Sequence, residues 1–258
     1  MTRTIAIIGG KGGIGKSTLA SNLSCALAQL GASVIAIDAN LTTPNLGIHL
    51  GIHLTPNSLH SLLKGESTIN NSIYPYVAGF KVIPGSMNIY DLKDVDAGRL
   101  PEVALALTGK SDFILIDSAA GLGREALSAI NAADEILIIT NPELPSVVDA
   151  LRTIKIAENL NKKILGVVVN RVTGKWHELK KREIEEMLGL PVLVEIPEDE
   201  NMAKSVTLKI PLVMFNPISP ASIEIRRLAH LLIGKEFKEE IQKPQGLLER
   251  IVKWILGK

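Results

Sequence analysis

The chain has 258 residues, 46% of them hydrophobic, which is ample for a sizeable core in one domain or at most two. Its 28 basic and 27 acidic side chains leave a net charge of +1, so bulk electrostatics give no argument for nucleic acid. The single cysteine, Cys25, excludes an internal disulfide or thiolate cluster, and no apolar run approaches the roughly 18 residues of a membrane span.

The opening residues enter a strand directly, which predicts no signal peptide. Strand 4–8 is followed by Gly10-Lys11-Gly12-Gly13-Ile14-Gly15-Lys16-Ser17 and then by a helix over 16–30, with Cys25 on its apolar side. Gly10, Gly15, Lys16 and Ser17 fill every fixed position of the phosphate-loop pattern. A glycine-rich turn between strand and helix gathers backbone N–H groups around an anion, and the helix N-terminus adds a favourable field. Average composition puts a chance match at roughly 1 in 100 for a chain this long, before the flanking strand and helix are counted. The loop, with Thr18 after it, therefore predicts binding of a nucleoside triphosphate, Lys16 reaching the β/γ-phosphates and Ser17 ligating Mg²⁺.

Further strands are predicted at 33–37, 80–83, 113–116, 135–139, 164–169 and 191–195. Helices are predicted at 100–107, 124–130, 146–159, 177–188 and 221–232. Most strands are apolar on both faces, as in a parallel sheet covered by helices on both sides. The alternation gives one α/β domain: a P-loop NTPase three-layer sandwich with a mainly parallel sheet. The first turn does not carry the dinucleotide-binding glycine pattern.

Ligands of such sheets sit beyond the carboxyl ends of the strands. Strand two ends at Asp38, and strand four ends in Asp117-Ser118-Ala119-Ala120-Gly121. An aspartate delivered beside a phosphate loop reads as a Mg²⁺-side carboxylate, and the alternative is a cap for the following helix. Gly121 reads as a hinge whose N–H senses the γ-phosphate, or as tight packing. Asn170-Arg171 at the end of strand six offers both edges of an amide to a base, or is a turn; Ile196-Pro197-Glu198-Asp199 forms a possible further wall. The five histidines form no metal motif, and Asp94, Asp96 and Glu102 read as solvated surface.

The domain is expected to end near Gly234, with 1–234 as the ATPase domain, 235–246 as a polar tether and 247–258 as an amphipathic helix. In that tail Leu247, Leu248, Ile251, Val252, Trp254, Ile255 and Leu256 share one broad arc, and Glu249, Arg250 and Lys253 the other. About a dozen helical residues reach about 18 Å, too short for a hydrocarbon core of about 30 Å. The pattern fits a helix lying in the membrane interface with Trp254 at its boundary; the alternatives are a helix docked on its own domain or on a partner protein.

These motifs resemble those of the deviant Walker A ATPases, with Lys11 as their extra lysine. Asp117-Ser118-Ala119-Ala120-Gly121, Thr140-Asn141-Pro142-Glu143, Asn170-Arg171, Ile196-Pro197-Glu198-Asp199 and the tail resemble MinD proteins in particular, over essentially the whole chain. The resemblance implies an ATP-dependent sandwich homodimer. Lys11 would act on the opposite subunit's phosphates, Lys16 in its own subunit, Glu143 near the nucleotide sugar across the interface, and Asn170 on adenine. It also implies a cytoplasmic protein attached peripherally to the inner face of the membrane, with a protein regulator or cargo; the near-neutral charge and the tail argue against nucleic acid as a partner. One departure is Asn40, where the family's second switch aspartate orients or activates water. An amide hydrogen-bonds water but does not take its proton, so slow hydrolysis is expected. The competing functions are a ParA-type partitioning ATPase, a metallocentre-assembly ATPase, opposed by the single cysteine, and a nucleotide-dependent scaffold with negligible turnover.

Overall fold

The computed structural model describes residues 1–237. Eight strands, β1 (Arg3–Ile8), β2 (Val34–Ala39), β3 (Tyr74–Pro75), β4 (Lys81–Ile83), β5 (Phe113–Ser118), β6 (Glu135–Thr140), β7 (Lys163–Val172) and β8 (Val192–Pro197), form one sheet in the order β3-β4-β2-β5-β1-β6-β7-β8. Every pairing is parallel except β3 with β4. The predicted α/β class and parallel sheet are observed. The short edge strand β3 was not anticipated; it has only two residues, one of them a proline.

The helices are α1 (Lys16–Gln29), α2 (Leu46–His49), α3 (Leu59–Lys64), α4 (Ile69–Ser72), α5 (Leu100–Leu107), α6 (Arg124–Ala132), α7 (Leu144–Asn159), α8 (Lys181–Leu188), α9 (Glu200–Thr207), α10 (Leu212–Phe215) and α11 (Pro220–Leu232). The sheet's alternation sorts them into two layers. Ile5, Ile7, Leu115 and Leu137 face a core shared with α1, α10 and α11. Ala6, Ile8, Ile116 and Ile138 face a second core shared with α3, α5, α6, α7 and α8. Burying each such Leu or Ile contributes about 1.5–3 kcal/mol. Two-sided burial explains why these strands read as unbroken apolar runs. Cys25 is buried, as its position in α1 suggested.

Helix α8 begins at Lys181 rather than at 177, because Glu178 gathers the N–H groups of Thr173 and Gly174 and its neighbours form a turn. Helix α11 ends at Leu232, and Gly234 turns at φ 68°. Phe237 then packs back, its ring 5.0 Å from that of His230 and 4.9 Å from the Arg227 guanidinium. The predicted amphipathic helix 247–258 and most of the tether lie outside the described residues. Among the described residues no helix is long and apolar enough to cross a membrane.

Candidate functional site

The loop between β1 and α1 is shaped by close packing beneath it. A side chain at Gly9 would meet Ile14 Cδ1 at 2.1 Å, and one at Gly10 would meet Asp149 Cβ of α7 at 2.5 Å. Gly15 starts α1 at φ 100°, a left-handed conformation that favours glycine, and no side chain caps the helix. The first-turn N–H groups therefore remain for an anion. The Asn170 amide donates to the Ile14 carbonyl at 2.7 Å, fastening the loop to the end of β7.

Lys16 is buried and its Nζ donates to the Lys11 carbonyl at 3.1 Å, curling back over the loop. Burial lowers its pKa, and Asp117 opposes that shift. Asp38 and Asp117 are fully buried and face each other in register on β2 and β5. Burial, then the Asp117 charge, raises the Asp38 pKa well above the carboxylate range, against the pull of the Gly47, Leu46 and Asn40 N–H groups. Burial likewise pushes Asp117 up to about 6, opposed by Ser17 and Lys16.

The helix-cap reading of Asp117 does not hold: α6 is capped by Gly123, and neither Asp117 oxygen accepts a backbone N–H, the Ser17 hydroxyl beside it being the side chain whose hydrogen bonding draws its pKa down. Asp38 does hold the start of α2, its Oδ2 accepting from Leu46 N–H at 2.9 Å, but its Oδ1 has no partner among the described residues. Three buried carboxylate oxygens that accept no backbone N–H, with the Ser17 hydroxyl beside Asp117, are the hard oxygen set that Mg²⁺ takes. These residues fit that ion.

Two adjoining cavities open along this edge. One, of about 350 Å³, is lined by Gly12, Gly13, Gly15, Lys16, Ser17, Thr18, Asn40, Thr43, Asn45, His49, Ser118, Ala120 and Arg171. The other, of about 410 Å³, shares Gly15, Thr18, His49 and Arg171 and adds Asn170, Pro197, Glu198, Asp199, Glu200, Met202, Ala203 and Val206. The first is a phosphate-sized space over the loop; the second has Pro197, Met202, Ala203 and Val206 as apolar walls suited to a flat ring. Asn40 Oδ1 accepts from Thr43 N–H and Oγ1 at 3.2 and 3.1 Å. Its –NH₂ remains, so the amide has donors to offer the cavity and no base.

The structure thus brings together Gly12, Gly13, Gly15, Lys16, Ser17, Thr18, Asn40, Asn170, Arg171 and Pro197, with Asp38 and Asp117 buried at the ends of β2 and β5. Gly10, Lys11, Ile14, Gly121 and Glu143 do not line either cavity. Glu143 is exposed where α7 begins, and Gly121 turns at φ 76°. His49 lines both cavities, and Met202 and Val206 line the second, yet sequence reasoning passed over all three. The four-residue α2 and the largely polar α9 carry too little apolar periodicity to be placed.

Residues 5–212 match the CobQ/CobB/MinD/ParA nucleotide binding domain. The chain belongs to the MinD/ParA family of P-loop ATPases. Among its relatives, an uncharacterised ATP-binding protein of Methanocaldococcus jannaschii is 35% identical over 100% of this chain and 98% of that one. The septum site-determining protein MinD of Pyrococcus horikoshii, solved with Mg-ADP, superposes with a TM-score of 0.87 at 34% identity, covering 90% of this chain and 96% of that one. The MinC:MinD complex of Aquifex aeolicus gives a TM-score of 0.82 at 28% identity, covering 93% and 98%. Nucleotide and Mg²⁺ therefore belong to the MinD/ParA family's solved chemistry.

Proposed function

We propose that this chain is a MinD-like ATPase switch, which dimerises on ATP and Mg²⁺ and attaches reversibly to a membrane through residues 247–258. The observation that carries the reading is the in-register pair Asp38 and Asp117, three of whose four buried oxygens accept no backbone N–H, beside Lys16 and the glycine loop. Ser17, Asp38 and Asp117 would hold Mg²⁺, which supplies charge neutralisation at the phosphates. The loop N–H groups and Lys16 bind the β/γ-phosphates, and the Lys16 ammonium, already drawn over the loop, needs little reorganisation. Asn170, Arg171 and Pro197 receive the base.

Lys11 and Glu143, which line neither cavity of their own chain, serve the second copy: Lys11 at its phosphates and Glu143 at its sugar. Gly121 reports the γ-phosphate through its N–H. Asn40 orients the attacking water by donation without taking its proton, so hydrolysis is slow and the dimer long-lived. Residues 1–234 are the ATPase domain and 235–246 the tether. Two tails on one dimer multiply a weak interfacial affinity, which couples phosphate state to surface attachment. The MinD complex with MinC makes a protein regulator a natural further partner.

Liposome co-sedimentation with ATP and with ADP, on the full chain and on a chain ending at Gln245, tests the reading. ATP-dependent binding that truncation abolishes supports it. Absence of lipid binding in both nucleotide states refutes the membrane switch and moves a partitioning or scaffold role forward.

A further inference from the structure

The segment that follows Asn40 is exposed at Thr42 and Thr43 but is held from two sides. Leu41 N–H donates to Glu125 Oε2 at 2.9 Å, and Thr42 N–H reaches the same oxygen at 3.4 Å. The Thr42 hydroxyl donates to Glu125 Oε1 at 2.5 Å. On the other side, the Leu41 carbonyl lies 3.0 Å from His60 Nε2. His60 Nδ1 accepts from Ser86 N–H at 3.0 Å, so the ring proton sits on Nε2 and is donated to Leu41. Burial lowers the His60 pKa, against the pull of the Leu41 carbonyl and of Asp91 and Glu125.

Glu125 stands in the first turn of α6, directly after the 118–123 segment that leaves Asp117. A first-turn glutamate ordinarily serves its own helix, by capping or through the helix dipole. Here the hydrogen bonds of its carboxylate to the described residues run instead to the chain after β2. Charge-assisted bonds of this kind are short and directional, so the carboxylate transmits position as well as energy.

We propose that Glu125 is a positioning residue: it clamps Leu41 and Thr42, ties the segment after β5 to the segment after β2, and thereby sets Asn40 in the cavity. Any shift of 118–123 with phosphate state then moves Asn40, while His60 holds the opposite edge of Leu41 as a fixed stop. This role rests on the reading of Asn40 as the residue that orients the attacking water.

The test compares the full chain with Glu125→Ala, Glu125→Gln and Thr42→Val, alone and combined with Asn40→Ala. Hydrogen exchange at 41–43, ADP affinity and single-turnover hydrolysis are measured on each. Glu125→Ala is expected to speed exchange at 41–43, leave ADP affinity within about twofold, and cut the single-turnover hydrolysis rate about tenfold. Glu125→Gln, which keeps the shape and one acceptor, recovers part of the loss. Added to Asn40→Ala, Glu125→Ala should cost nothing further, because two residues acting as one unit are not additive. Unchanged exchange at 41–43 overturns the clamp whatever the turnover. An equal loss of that rate in both backgrounds overturns the action through Asn40. If Asn40→Ala hydrolyses as fast as the unaltered chain, the reading of Asn40 fails, and the exchange measurement still decides the clamp.

Discussion

Replacing Asp117 by Asn is expected to stabilise the nucleotide-free protein near neutral pH while removing its response to Mg²⁺. Asp117 is fully buried beside Asp38, and its pKa is pushed from 3.8 up to about 6. The native state therefore holds the proton more tightly than the unfolded chain does. The sign follows: ionising Asp117 costs stability, the cost is absent below 3.8, and it is complete above about 6. At about 1.4 kcal/mol per pH unit, that gap corresponds to about 3 kcal/mol. The variant's amide resembles the protonated acid in shape and charge, and it also relieves Asp38, whose pKa Asp117 helps to raise. Urea unfolding in a chelator should therefore show Asp117→Asn more stable by about 3 kcal/mol near pH 7.5 and equal to the original near pH 4. Adding Mg²⁺ to the ATP-bound protein should raise the midpoint of the original chain further and leave the variant's at its value with ATP alone. A stability difference that does not change with pH would refute the electrostatic origin. A variant that still gains from Mg²⁺ would refute the metal assignment.

Gly15→Ala places a Cβ at φ 100° and 2.3 Å from Asn170 Nδ2. Strain of about 1–3 kcal/mol and the loss of about 1 kcal/mol from the displaced Asn170–Ile14 bond should both appear in urea unfolding; a loss under about 0.5 kcal/mol would contradict the loop geometry. Asn40→Asp restores a proton acceptor in the cavity and should raise phosphate release at least about tenfold, and an unchanged rate would remove Asn40 as the cause of slow turnover.

The legible parts of this molecule are those written in consecutive residues. Strand β1, the loop and α1 declare themselves because an apolar run stands next to a loop of four glycines and two lysines, Gly10 to Ser17. Asp38 and Asp117 stand out because each ends an apolar strand, although only the β2–β5 pairing reveals that they face each other. That pairing joins positions 79 residues apart, and no local pattern carries it. The missed features share this property. Met202 and Val206 line a cavity only because α9 borders the same space as the ends of β7 and β8. Helix α8 starts late because Glu178 is claimed by the N–H groups of Thr173 and Gly174, a competition that helical periodicity ignores. Glu125 looks like an ordinary first-turn acid until Leu41 and Thr42 are found on it.

The same contrast bears on how the site works. Lys16 lies folded onto the Lys11 carbonyl, and three of the four oxygens of the paired buried aspartates accept no backbone N–H, so three costly groups converge where the sheet gives little compensation of its own. A protein selected only for stability would replace at least one of them, since an unpaired buried carboxylate costs more than a neutral isostere. The arrangement has a physical rationale once polyanion and cation arrive together: the anion satisfies Lys16 and the loop N–H groups, and the cation satisfies the aspartates. Either alone leaves part of the site unsatisfied. Nucleotide and Mg²⁺ should therefore bind with positive coupling, each tightening the other by the same factor. Titration of ADP with and without Mg²⁺, and of Mg²⁺ with and without ADP, reads the two factors after correction for Mg–ADP association in solution. Asp117→Asn should bring both close to one.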